Sequence, residues 1–243
     1  MKAELIDKMG DDLLVVNAAR VSFDKESSYD LHHCDHSAGG MEKSIKAQDR
    51  KLLNYLAKHN HWTPFSHPQI CMRETVPIFV ARQRFKHMVG FTYNEVSRRY
   101  VDDEPEFYTP EVWRSRPEGS VKQGSGSDVV SNLNSYIDIG FGRIKHLPSV
   151  YDDHLDNAKE LYDLMIEAGV APEQARMVLP QSMYTSYYVT GSLAAWARAY
   201  KQRIESTAQI EIQELAKQWD SIIAPLFPES WGVLTEEEDD VSN

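Results

Sequence analysis

The chain has 243 residues, 42% of them hydrophobic and 10% aromatic, enough for one sizeable core or two small ones. Lys and Arg number 26 against 37 Asp and Glu, a net charge of −11, which argues against wrapping duplex nucleic acid but not against a small anion held by a few arginines. Two cysteines, Cys34 and Cys71, are too few for a disulfide scaffold, Met1 to Lys8 lacks the apolar core of a signal peptide, and no stretch approaches the roughly 18 apolar residues of a membrane span. These features set the expectation of a soluble protein in a reducing, cytoplasmic setting.

In chain order, residues 11–23 contain the apolar run Leu13-Leu14-Val15-Val16 and end in Arg20-Val21-Ser22-Phe23, and the polar residues 24–41 read as a loop. Ile45, Leu52, Leu53 and Leu56 recur at helical spacing and predict an amphipathic helix over 44–58, followed by an aromatic and histidine-rich turn to Pro68. Residues 69–75 alternate like a strand. Pro77 opens a helix carrying Ile78, Phe79, Ala81, Phe85 and Met88 until Gly90 interrupts it. Prolines, glycines and serines over 102–127 mark an irregular surface excursion. Two helices are expected around 129–145 and 150–168, with Gly169 ending the second. The stripe Trp196, Tyr200, Ile204, Ala208, Ile212, Leu215, Trp219 and Ile222 predicts one long helix over 194–223. The run Glu236-Glu237-Glu238-Asp239-Asp240 reads as a solvated tail, so the expected organisation is one domain over 1–230 and an acidic tail over 231–243.

Unusual chemistry concentrates between Arg82 and Tyr100. On a helix Arg82 and Lys86 are four apart, as are Gln83 and His87, so basic and amide groups share one side. Beyond Gly90, Glu95 and Ser97 stand beside Arg98 and Arg99. Guanidinium suits phosphate because its donors form a planar, permanently charged fork. Composition alone would make this a solvated basic helix. Its start follows the very apolar Pro77-Ile78-Phe79-Val80-Ala81, however, and buried arginines are seldom left unpaired.

The window resembles the signature of the flavin-dependent thymidylate synthases: Arg-His-Arg, a short gap, Ser, then Asn-Glu-x-Ser-x-Arg-Tyr. Asn94-Glu95-Val96-Ser97-Arg98-Arg99-Tyr100 matches the second half, and Pro77 to Gln83 is similar to the family's lead-in. The first half departs: Lys86-His87-Met88 stands for Arg-His-Arg, one extra residue follows, and Thr92 replaces the serine. Three further segments agree in order. They are Asn17 to Asp24, His61-Trp62-Thr63-Pro64-Phe65-Ser66-His67, and Ala175-Arg176-Met177-Val178-Leu179-Pro180 with Arg203, Ala208-Gln209 and Glu211-Ile212.

The resemblance implies an α+β fold, a twisted antiparallel sheet with long helices, assembled as a homotetramer with active sites between subunits. It implies reductive methylation of dUMP to dTMP through FAD, with NADPH and methylenetetrahydrofolate as co-substrates. Contacts to dUMP are expected from Gln83, Arg84, Phe85, Lys86, Glu95, Val96, Ser97, Arg98, Arg99, Arg176 and Arg203. Arg203 is the expected catalytic group, a fixed cation beside the uracil as charge develops. Contacts to FAD are expected from Ser22, His61, Thr63, Lys86, His87, Met88, Glu95, Ser192 and Arg198, the last two standing where the family has asparagines. No cysteine nucleophile is required, and no resident metal is expected.

Several readings stay open beside this one. Arg176 reads also as one half of a helix ion pair, Arg203 as a helix-surface residue, and His61 as a structural histidine. His32-His33-Cys34-Asp35-His36 is dense in metal-ligating types, although consecutive ligands cannot all reach one ion. A non-catalytic nucleotide- or RNA-binding homologue would be colourless. An enzyme on the same scaffold could deliver hydroxymethyl rather than methyl to C5.

Overall fold

The computed structural model describes residues 1–33, 41–100, 103–116 and 136–236. Its frame is an antiparallel sheet of Lys2–Met9 (β1), Gln69–Pro77 (β4), Tyr184–Ser192 (β8) and Phe91–Glu95 (β5), in that spatial order. Strand β1 (Lys2–Met9) leads into helix α1 (Asp12–Arg20), capped by Asp11, whose carboxylate accepts from the Leu14 amide at 3.0 Å. Residues 24–41, expected as a loop, instead carry strands β2 (Asp30–His33) and β3 (Met41–Ser44), paired from Asp30↔Ser44 to His33↔Met41. Positions 34–36 of the histidine-rich run lie outside the described residues. Helix α2 (Ala47–Lys58) falls inside the expected 44–58 and buries Leu53 and Leu56.

The centre of the sheet is β4 (Gln69–Pro77) against β8 (Tyr184–Ser192), in register from Gln69↔Ser192 to Pro77↔Tyr184. Both strands alternate the same way. Ile70, Met72, Glu74 and Val76 point inward from β4, and Thr185, Tyr187 and Val189 from β8. The inner face packs on Val15, Val16, Leu53, Phe65, Trp196, Ile212, Leu215, Trp219 and Phe227. Arg73 and Thr75 of β4 and Ser186 and Tyr188 of β8 lie on the opposite face.

Helix α3 (Ile78–Arg84) is shorter than expected and does not reach Met88. Its last turn tightens, with the Lys86 amide donating to the Gln83 carbonyl and the His87 amide to the Arg84 carbonyl. The Tyr93 hydroxyl then takes the His87 carbonyl at 2.6 Å. Gly90 completes the reversal at φ +81, and a Cβ there would lie 2.8 Å from that of Ala195. Strand β5 (Phe91–Glu95) follows and pairs with β8.

Residues 103–116 are irregular, as expected for that excursion, and Phe107 bridges Met183. The helix expected over 129–145 is absent from its described part. There β6 (Tyr136–Asp138) and β7 (Ile144–His146) form a hairpin, because Gly140, Phe141 and Gly142 all take positive φ, which no right-handed helix allows. Helix α4 (Leu147–Glu167) ends as predicted before Gly169, at φ +78, and α5 (Pro172–Ala175) leads into a 3-10 turn at Arg176–Val178.

The long helix expected over 194–223 is two helices, α6 (Leu193–Ile204) and α7 (Ile210–Ile223). The chain leaves helical dihedrals at Glu205, ψ 138, and re-enters after Gln209, ψ 137. The apolar stripe runs unbroken across the gap because both helices face one core, so periodicity alone could not show the break. Helix α8 (Pro228–Thr235) continues past residue 230, with Trp231 only 2% exposed, so the packed region includes residues assigned from sequence to the tail. Asp12, itself buried, accepts from the Glu229 and Ser230 amides and holds the start of α8.

Candidate active site

A cavity of about 580 Å³ opens on the outer face of the sheet, within the usual range for small-ligand sites. Alternation in β4 brings Arg73 and Thr75 to it, and β8 contributes Ser186 from the same face and Thr185 from the inner one. The Arg73 guanidinium donates to the Ser186 hydroxyl at 3.0 Å. Glu95, at the end of β5, accepts from the Thr185 hydroxyl at 2.7 Å, and the Val96 amide extends the pairing to the Ser186 carbonyl. Arg98 enters from the loop after β5 and donates to the Asp103 carbonyl. Arg176 enters from the opposite wall, exposed, its Nε donating to the Glu173 carbonyl at 3.4 Å. Three guanidiniums from separate segments thus share the wall with hydroxyls and five acidic residues, Glu95, Asp103, Glu104, Glu106 and Glu173. That set can grip an oxyanion at one end and a polar ring at the other.

A second cavity of about 330 Å³ adjoins the first through Glu95 and is walled by Phe85, Met88, Phe91 and Tyr93. Met88 and Val89 are each 73% exposed, an apolar step beside the aromatic slot. Lys86 is exposed nearby, and the Arg198 guanidinium donates to the Val89 carbonyl. An aromatic slot with one carboxylate in its wall, beside a segment that carries Lys86 and is contacted by Arg198, fits the flat ring of a flavin.

Behind the slot, the Arg203 Nε donates to His87 Nε2 at 2.8 Å, and its terminal nitrogen reaches the Gln83 carbonyl at 3.4 Å. His87 is 7% exposed. Burial, then the charges of Arg203, Arg84 and Arg198, push its pKa down to about 4, so the ring is neutral and accepts. Burial and the Arg84 charge likewise lower the Arg203 pKa from its ordinary value.

Of the expected nucleotide residues, Glu95, Val96, Arg98 and Arg176 line the larger cavity and Phe85 lines the slot. Ser97 is half-buried, accepting from the Arg99 side chain at 3.2 Å, and Arg99 stacks on Tyr100. Arg84 is placed otherwise. It is fully enclosed, donating to Glu74 at 3.2 Å and to the Tyr93 hydroxyl at 2.5 Å inside a box of Phe91, Trp196 and Trp219. It therefore contacts core groups and not the cleft, which the apolar lead-in had hinted at.

The expected flavin residues divide. Met88 and Glu95 line the slot, and His87 sits behind it. Ser192 is buried, its hydroxyl accepting from the Ala195 amide as the cap of α6, and it lines neither cavity. Ser22, His61 and Thr63 line neither cavity. Ser22 is exposed on the turn Val21–Phe23, and His61 lies edge-on to Tyr55. Arg73, Tyr184 and Ser186 were not anticipated; the alternation of β4 could have marked Arg73, but β8 was unrecognised.

Fold and site together define an α+β protein with a cleft holding three guanidiniums on the outer face of an antiparallel sheet and an adjoining aromatic slot at its β5 edge. The chain belongs to the family described as thymidylate synthase complementing protein, whose model matches residues 4–229. It is 35% identical over 213 residues to a flavin-dependent thymidylate synthase of Thermosipho africanus, covering 87% of this chain and 81% of the relative. A relative of the same name from Thermus thermophilus is 30% identical over 236 residues, 96% of this chain and 74% of the relative. The structure of the UMP/dUMP methylase PolB from Streptomyces cacaoi, bound with 5-Br UMP, superposes with a TM-score of 0.76 at 26% identity, covering 96% and 93% of the two chains. The resemblance drawn from the motifs is borne out.

Proposed function

We propose that this chain methylates C5 of dUMP to give dTMP, with FAD, methylenetetrahydrofolate and NADPH as cofactor and co-substrates. The supporting observation is that Glu95 is shared between the guanidinium cleft and the aromatic slot, so that a nucleotide and a flat ring would meet at one carboxylate. When bound, the flavin supplies hydride chemistry; the protein binds and orients. Arg98 and Arg176 take the phosphate, and Glu95 and the Ser186 hydroxyl take polar groups of the nucleoside. Arg203, held by neutral His87, presents a fixed positive charge to the pyrimidine. Such a preset charge favours a developing anion without reorganisation.

Assembly as a homotetramer belongs to the same reading. Ser22 stands between Val21 and Phe23, 71% and 76% exposed, an apolar tip that a second copy would cover while bringing Ser22 to a neighbouring slot. The free thiol of Cys71 suits a reducing cytoplasmic setting.

The test is a visible spectrum of the purified protein, then NADPH oxidation with and without dUMP or UMP, and product mass. Flavin bands, dUMP-dependent oxidation and a methylated product are expected. A colourless protein, or a hydroxymethylated product, would replace this reading with one of its rivals.

A further inference from the structure

A line of polar side chains runs from the irregular segment at Arg114 to the neighbourhood of Arg203, and its direction is fixed at one end. Glu211, 3% exposed in the first turn of α7, accepts from Arg114 at 2.5 Å through Oε1 and from the Gln209 amide nitrogen at 2.8 Å through Oε2. Burial works against the Glu211 charge, but the hydrogen bonds of Arg114, its own amide and Gln209 prevail and hold its carboxyl below the usual range. The Gln209 carbonyl oxygen in turn accepts from the Gln83 amide nitrogen. An ionised carboxylate has no hydrogen to give. It therefore demands the nitrogen of Gln209, which leaves the oxygen of Gln209 facing Gln83 and takes up the Gln83 nitrogen. The Gln83 carbonyl oxygen is left directed away from the relay. The backbone carbonyl of the same residue accepts from Arg203 at 3.4 Å, which ties the Gln83 segment to the proposed catalytic cation.

We propose that Glu211 is a positioning residue that sets, through Gln209, the polarity of the Gln83 amide, so that Gln83 offers an acceptor to an N–H or O–H donor of the pyrimidine nucleotide. The substrate half of this statement rests on the function proposed above. The break between α6 and α7 makes the relay, because it places Gln209 at the cap of α7 rather than inside a continuous helix.

The informative change is Glu211→Gln. Arg114 only donates, so the new side chain keeps its oxygen toward Arg114 and turns its nitrogen to Gln209. Gln209 then reverses, Gln83 reverses, and an N–H replaces the acceptor at the nucleotide. Two readouts follow. In the ligand-free protein, the Gln83 side-chain amide protons, shielded in the parent, exchange with water faster in Glu211→Gln by NMR. In the flavin-loaded protein, the Kd for dUMP rises about tenfold, the usual size of one lost or opposed hydrogen bond. Adding Gln83→Glu to Glu211→Gln restores an outward acceptor and recovers dUMP affinity, which a merely structural role for Glu211 would not produce. Unchanged Gln83 exchange in Glu211→Gln overturns the relay whatever the ligand. Faster exchange in a protein whose parent takes up no dUMP upholds the relay and overturns the nucleotide reading.

Discussion

The Nε of Arg203 donates to Nε2 of His87 at 2.8 Å, and the bond requires an uncharged imidazole. Its folded pKa of about 4 lies below the ordinary 6.5, so the unfolded chain binds the proton more readily. Stability from this site is therefore complete above pH 6.5 and is lost as the pH falls from there toward 4, by up to about 3 kcal/mol. Urea unfolding between pH 4 and 7 should show this slope, and His87→Gln, which keeps an acceptor for Arg203, should flatten it. Equal slopes in the two proteins would place the titration elsewhere.

Arg203 itself lies behind the slot rather than in its walls. Arg203→Ala is expected to abolish turnover, by a factor of about 100 or more for loss of a preset charge, while the flavin bands persist. Loss of colour on purification would move Arg203 from the substrate to the cofactor.

What the sequence made legible follows from how each feature is encoded. The Asn94 to Tyr100 motif and Arg176 were readable as residue types in order, and the structure brings Glu95, Val96, Arg98 and Arg176 to one cavity. Strand β8 was not recognised, although Pro180 precedes it and Gly191 lies near its end, and it brings Tyr184, Thr185 and Ser186 to that cavity. The break at Glu205 was hidden because one apolar stripe serves two helices against one core. Arg84 was expected to contact dUMP from the resemblance; its enclosure by Glu74, Phe91, Trp196 and Trp219 places it in the core. Ser22, His61 and Thr63 line neither cavity of their own chain.

The buried pair of Arg84 with Glu74 allows a double-mutant test. Both side chains are wholly buried, and the Tyr187 hydroxyl donates to Glu74 at 2.6 Å. Arg84→Met leaves the Glu74 carboxylate buried without its cation, at a cost of about 3–5 kcal/mol in urea unfolding. Glu74→Gln in the same chain removes that charge and keeps an acceptor for Tyr187. The double variant should therefore unfold at higher urea than Arg84→Met alone, and additive losses would show that the charges do not interact.

Arg176 tests the cleft without touching the slot. It is exposed, anchored only lightly at the Glu173 carbonyl, and faces Arg73 and Arg98 across the cavity. Removing a charge-assisted contact to phosphate costs about 1.5–3 kcal/mol, so Arg176→Ala should raise the KM for dUMP by about 10- to 100-fold with kcat little changed. Arg176→Lys should recover part of the loss, because a point charge replaces a planar fork. Flavin absorbance and thermal midpoint should match the parent, since the side chain supports neither slot nor core. A fall in kcat at unaltered KM would assign Arg176 to the chemical step and take the phosphate away from this end of the cleft.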